Sequence, residues 1–382
     1  MAEDKSLKIA YLASSIIPSY SANSIQVMKM CNAFVEIGNE VTLIVPNKKA
    51  MGLELVDCFD FYGIRPNFKI EKISLLNIRG QSILYGFRSA YRAKYFNPEL
   101  VYGRNVISCS IASLLGLNTM FESHSPIADS GFVSKVLFSI MIRRQNFKRL
   151  VVISGALREF YSEHYPSISN NTIVAHDGAD TPHSTILYDH KIVSDRLQVG
   201  YVGSLYNGRG LELISSLAEK CSWCDFHVIG GSNDDEKKYK QQHIPHNLTF
   251  HGQVPHGNIK HCYDKLDILL APYQRQIATQ AGNNTVRWMS PLKIFEYMSA
   301  GKAIVCSDLP VLREIMRHGD TVIFCAPDIV DDWCNALVAL RDNIELRMLL
   351  GSNAQREFLT NYTWYKRARK VLENIALDEI VL

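Results

Sequence analysis

Lys293 and Glu296 are the residues of this 382-residue chain whose types and spacing most suggest chemistry. Three positions apart, they share one face if the segment is helical. Pro291 suits a first helical turn, where a missing N–H costs nothing, and Ser290 before it can cap the exposed donors. Gly301 closes the helix, and Ala303 to Cys306 reads as a short buried strand. A cation at a helix N-terminus attracts anions, and a carboxylate one turn further in can accept hydrogen bonds from a sugar diol. Such a pair describes a nucleotide-diphosphate site. The same residues also permit an ordinary capped helix packed on a strand, with Lys293 and Glu296 as a surface ion pair.

The elements that must position this helix follow an α/β alternation. Leu7–Ala13 is apolar and strand-like, a helix is expected over Ile25–Ile37 up to Gly38, and Val41–Val45 is the next strand. Strand, helix and strand within about forty residues make a right-handed βαβ unit and hence a parallel sheet. Ligands collect at the carboxyl ends of such strands, which brings in the loop with Asn23 and Ser24 and the segment Glu122-Ser-His124. Further helices are expected over Phe132–Phe147 and Ala156–Tyr165. The polar stretch 181–196 reads as a linker. A second alternation starts at Leu197, with a loop Gly203 to Gly210 whose glycine spacing is not the dinucleotide fingerprint.

The segment Ser290–Asp308 resembles the donor-site signature of family 4 glycosyltransferases, and the resemblance extends from Ile9 to about Ile375. It implies an α/β chain of GT-B fold: two doubly wound Rossmann-like domains facing a cleft, at 1–180 and 197–360, with residues 361–382 crossing back to the first. It implies a transferase moving a sugar from a UDP- or GDP-type donor to a glycan or lipid-linked acceptor, with retention and without a metal cofactor. On that resemblance Glu296 binds the ribose. Gly203, Ser204, Arg209, Ser290, Leu292 and Lys293 surround the diphosphate, and Val254 lies toward the base. Lys293 and Arg209 would stabilise the leaving group. His124 would meet the transferred sugar, with Asn23, Ser24, Glu122 and Arg287 as further contacts to sugar or acceptor. Two positions depart from the family pattern. Ser204 stands where an arginine is usual, and Trp288 where a second glutamate is usual. These departures keep two rivals open: a non-catalytic binding partner, and a nucleotide-sugar epimerase.

Composition limits the remaining classes. A formal charge of +3 implies no polyanionic partner such as nucleic acid. Nine cysteines without framework spacing point to a reducing compartment, and the polar start resembles no signal peptide. A cytoplasmic protein is expected, or one peripheral on the cytosolic face of a membrane. A zinc site drawn from Cys221, Cys224, His243 and His246 is disfavoured by its spacing. The apolar segment from Phe132, ending in Arg143, Arg144, Lys148 and Arg149, reads as a core helix with a dipole-matched end or as a lipid-facing one. Arg88, Arg92 and Lys94 add a second basic cluster.

Overall fold

The computed structural model describes residues 6–375 except 49, 76, 77, 79, 183–195, 233, 234, 236–238, 240–243 and 278–283. Most of the expected linker therefore lies outside the described residues. The chain divides into two compact units, Met1–His176 with Trp364–Leu382, and Asp177–Thr363.

The first unit alternates strands and helices. In order they are β1 (Lys8–Leu12), α1 (Ala22–Glu36), β2 (Glu40–Pro46), α2 (Cys58–Tyr62), β3 (Lys69–Ile73), α3 (Gln81–Tyr95) and β4 (Leu100–Gly103). There follow α4 (Val106–Leu114), β5 (Thr119–Ser123), α5 (Phe132–Met141), β6 (Phe147–Val152), α6 (Gly155–His164) and β7 (Thr172–Val174). The strands form one parallel sheet, β3-β2-β1-β4-β5-β6-β7. Because the order reverses between β1 and β4, right-handed crossovers place α1 on one face and α3, α4 and α5 on the other. Helix α1 starts three residues earlier than expected, since the Ser21 hydroxyl accepts the Ser24 N–H. Helix α5 ends at Met141 rather than Phe147, which instead opens β6.

The second unit repeats the plan with β8 (Leu197–Val202), α7 (Leu211–Lys220), β9 (Cys224–Ile229), β10 (Leu248–Phe250), β11 (Ile268–Ala271), β12 (Ala303–Ser307) and β13 (Ile323–Cys325). Its parallel order is β10-β9-β8-β11-β12-β13, reversing between β8 and β11. One apolar cluster, including Ile294, Phe295, Met298 and Leu312, packs on one side of this sheet. A second, including Ile214, Phe226, Trp333 and Leu337, packs on the other. Both sheet faces are thus covered, as near-continuous apolar strands require.

Candidate functional site

The helix Leu292–Ala300 begins beside the reversal point of the second sheet. Tyr297 pins it there: its hydroxyl accepts the Val202 N–H at 2.8 Å and lies 3.2 Å from the Leu270 carbonyl. Gly301, at φ 66°, closes the helix in the left-handed region. The start differs from expectation. Pro291 is the N-cap residue and no side chain caps the helix. Ser290 Oγ accepts the Asp177 N–H at 2.8 Å instead. The first-turn donors are thus left without a side-chain acceptor, which favours an anion there.

Lys293, in that first turn, is buried, and its Nζ has no hydrogen-bond partner among the described residues. It rests 3.7 Å from the centroid of the Tyr201 ring and 5.3 Å from that of Tyr273. Gly203 makes this seat, because a Cβ there would lie 2.6 Å from Nζ. Burial, followed by the charge of Arg209, pushes the Lys293 ammonium pKa well below its usual range. Arg209 has its guanidinium carbon 5.4 Å from the Tyr273 centroid, and its buried Nε also has no partner among the described residues. Two basic side chains with no carboxylate paired to them among the described residues therefore meet at one sheet edge. That arrangement fits a dianionic ligand.

Glu296 faces other partners. His256 Nε2 lies 2.7 Å from one oxygen, and the Tyr263 hydroxyl donates to the other at 2.7 Å. Burial alone would raise the carboxyl pKa, but the His256 hydrogen bond and charge, with Tyr263, hold it below the usual value. An ionised carboxylate offers about four lone pairs, so two remain for a diol. The surface ion pair with Lys293 is not formed: Lys293 is buried, and Glu296, half-buried, is engaged by His256 and Tyr263.

The other expected residues of this unit are spread around the pair. Leu292 is buried, and Ser204 accepts the Tyr201 O–H at 2.6 Å through its carbonyl. Val254 packs half-buried on the core. The Arg287 guanidinium stacks on Trp288 at 4.7 Å. Cys221 Sγ lies 3.6 Å from Cys334 Sγ, and Cys224 donates to the Cys221 carbonyl. His243 is outside the described residues, and the disfavoured zinc set is not assembled by these contacts.

The first unit holds a second constellation at its own reversal point. A cavity of about 160 Å³ is lined by Ser14, Asn23, Arg104, His124, Ser125 and Ser130 among others. His124 Nε2 lies 2.6 Å from Glu122 Oε1. Glu122 is almost wholly buried; Gln26 donates to it at 2.7 Å, Arg367 at 2.9 and 3.3 Å, and the Tyr102 hydroxyl also donates to it. Burial would raise its pKa, but the Arg367 charge and the His124 hydrogen bond outweigh burial and keep it ionised. Burial, with Arg104 adding to it, pulls the His124 pKa down to about 4. The imidazole is therefore neutral at pH 7. Its Nε2–H donates to the carboxylate, and Nδ1 remains as an acceptor for a hydroxyl. Both oxygens of Glu122 are thus occupied. Ser24 lies in the first turn of α1 rather than in a loop and is buried, its hydroxyl 2.8 Å from the Ser19 and Ser21 carbonyls.

Sequence reasoning missed His256, Tyr263, Tyr201, Tyr273 and Arg367. The crowding of six of the twelve histidines between 227 and 261 was the available signal for His256. Nothing local marks Arg367, whose partner lies 245 positions away.

Two Rossmann-like units with sheet orders of this kind define the GT-B class. Solved structures of that class align along nearly the whole chain. HepE from Anabaena, solved with UDP and glucose, has a TM-score of 0.71 at 16% identity, covering 96% of this chain and 98% of that one. Sucrose-phosphate synthase from Thermosynechococcus elongatus has a TM-score of 0.69 at 14% identity, covering 95% and 97%. Residues 196–343, in the second unit, match the family described as glycosyl transferases group 1. A curated relative, an uncharacterized glycosyltransferase of Methanocaldococcus jannaschii, is 22% identical over 254 residues, which is 63% of this chain and 61% of that protein. The phosphatidyl-myo-inositol mannosyltransferase of Mycolicibacterium smegmatis is 25% identical over 137 residues, 36% of this chain and 32% of that protein.

Proposed function

We propose that this protein transfers a sugar from a UDP- or GDP-type donor to a glycan or lipid-linked acceptor, with retention and without a metal ion. The observation that carries this is the buried Lys293 amine, unpartnered among the described residues and beside Arg209, one turn from the ionised Glu296. The diphosphate oxygens would supply the missing counter-ions, and Glu296 would accept from the ribose hydroxyls. As the bond from the sugar to the diphosphate breaks, negative charge grows on the leaving phosphate. Lys293, Arg209 and the uncapped helix start would meet that charge in place, with no reorganisation. His124 is assigned to the sugar side, its Nδ1 accepting from a hydroxyl. The binding of UDP and of UDP-glucose by HepE supports the choice of donor class.

The test is a thermal-shift screen of UDP, GDP, ADP and CMP, followed by turnover with the matching sugar donors in the presence of EDTA. A nucleotide at a hundredfold its dissociation constant adds about 2.7 kcal/mol of stability. Proton NMR of the product gives the anomeric outcome. Donor conversion without an acceptor would identify an epimerase instead, and binding without turnover a partner protein. Loss of turnover in EDTA, restored by a divalent cation, would overturn the metal-free part.

Glu296→Gln should leave folding intact and weaken nucleotide binding by about 1.5–3 kcal/mol, the range of a charged hydrogen bond. Unchanged affinity in a calorimetric titration would remove Glu296 from the ribose. His124→Ala should depress kcat far more than nucleotide affinity. A parallel loss in both would move His124 away from the sugar.

A further inference from the structure

Helix α5 is the most apolar exposed element of the first unit. Of its ten residues, Phe-Val-Ser-Lys-Val-Leu-Phe-Ser-Ile-Met, only Phe138 and Met141 are buried. Phe132 is 81% exposed, and Val133, Val136 and Ile140 are exposed too. A core helix does not present such a face, so the core alternative from the sequence is excluded. Helix α4 packs between α5 and α3 and exposes Leu114 at its end. Helix α3 in turn exposes Phe87, Tyr91 and Tyr95, the last two at 61% and 78%, in a stripe spaced by four.

The charges on these three helices have one sign; the nearby acids are the exposed Asp129 just before α5 and Glu71 beside Arg92. No Asp or Glu occurs on α3, α4 or α5, nor in residues 142–149. Arg88, Lys94, Lys135 and Arg143 are exposed among the apolar groups. Arg92 is paired with Glu71 and stacks under Tyr95 and Phe96 at 4.9 Å each, which steadies the aromatic end of α3. Interleaved aromatic, aliphatic and cationic side chains on neighbouring helices match the headgroup zone of a bilayer. There aromatic rings sit at the interface and cations meet anionic lipid. A nucleic acid would use the cations and rings but would leave Val133, Val136 and Ile140 without a partner.

We propose that the surface formed by α3, the end of α4 and α5 docks this protein on anionic phospholipid. No helix among the described residues is long and apolar enough to cross a membrane, so the contact is peripheral. The inference deepens the acceptor part of the function proposed above, since a docked enzyme would meet a lipid-linked acceptor in two dimensions. Its test needs no turnover, so either can fail alone.

The full chain is sedimented with vesicles of phosphatidylglycerol and phosphatidylcholine, and with phosphatidylcholine alone. Binding to the anionic vesicles at low salt is expected, falling sharply at about 1 M NaCl, where charges are screened beyond ~3 Å. Reversing Lys94, Lys135 and Arg143 to Glu should weaken the partition by at least about a hundredfold, at about fivefold per lost cation. Phe132→Ser with Tyr95→Ser should weaken it independently. These side chains are exposed, so an unchanged circular-dichroism melt shows that the variants fold. Absence of low-salt binding, equal binding to both vesicle types, or variants that bind as well as the parent would each overturn the proposal. So would a concentration-dependent dimer abolished by Phe132→Ser, which would assign the surface to a second copy of the chain.

Discussion

Lys293→Met is expected to raise the unfolding temperature of the ligand-free protein while removing most of its nucleotide affinity and transfer rate. The wild-type amine is buried without a hydrogen bond among the described residues, and holding its charge there is costly in the absence of an anion. Methionine fills similar space with no charge to desolvate. Loss of one pre-positioned donor to developing charge lowers rate by about 10²–10³. The pH dependence has a definite sign. With the folded pKa of Lys293 below its unfolded value, the folded state binds fewer protons across that window. Stability should therefore rise with pH there, and Lys293→Met should flatten the rise. Binding of the diphosphate restores the charged form, so it should take up protons, read as a buffer-dependent calorimetric enthalpy. A variant that is less stable without ligand, or that keeps its nucleotide-induced shift, would show that Lys293 serves the fold. Ser204→Arg added to Lys293→Ala separates the roles further. Partial recovery of kcat/KM means that the two positions serve one phosphate group, and strict additivity means that they do not.

Arg367→Gln should have the largest effect on stability, about 3–5 kcal/mol, because it strands the Glu122 carboxylate in the interior. The native pair holds the Glu122 pKa below its unfolded value. Its stabilisation is therefore present above the unfolded pKa and lost as pH falls through the folded one. A second readout distinguishes a positioning role from a brace. Arg367 is among the cations that lower the His124 pKa, while Glu122 raises it. Without Arg367, the His124 titration should move up from about 4, and an acid limb should appear in the pH profile of kcat. NMR titration of the His124 ring follows this directly. A ring still titrating near 4 in Arg367→Gln would leave Arg367 with a structural role alone. Glu122→Gln added to it should recover part of the stability, since no buried charge is then unmatched.

Alternation of apolar strands with amphipathic helices made both parallel sheets legible, because burial on both faces writes near-continuous apolar runs such as Val41–Val45. The position of His124 at a carboxyl sheet edge was legible for the same reason, and that of Lys293 and Glu296 near a helix start from Pro291 and Gly301. Their partners were not. Glu296 turned to His256 and Tyr263, which lie 40 and 33 positions away, rather than to Lys293 on its own helix face. Ser290 reached Asp177 across 113 positions instead of capping the helix beside it. Short-range rules place donors near acceptors along one element, whereas these pairings were decided by which loops share a sheet edge. Helix α5 was ambiguous for a related reason. Its apolar composition suits a core, and only tertiary packing shows that the core ends at Phe138 and Met141.

The helix Trp364–Leu372 belongs to the first unit although the whole of the second intervenes. The passage out and back is fastened within the second unit, where Ala179 pairs with Thr363. During synthesis, Glu122 leaves the ribosome 245 residues before the guanidinium that neutralises it. The first-made half of the protein should therefore be the last to mature, waiting with an unmatched buried acid while the inserted unit folds to completion. A released chain ending at residue 363 should show a protease-resistant second unit beside a first unit that is still cut. A chain stopped before Arg367 would need a chaperone or would be degraded. Cutting the gene at His176 would then yield one half that stands alone and one that does not.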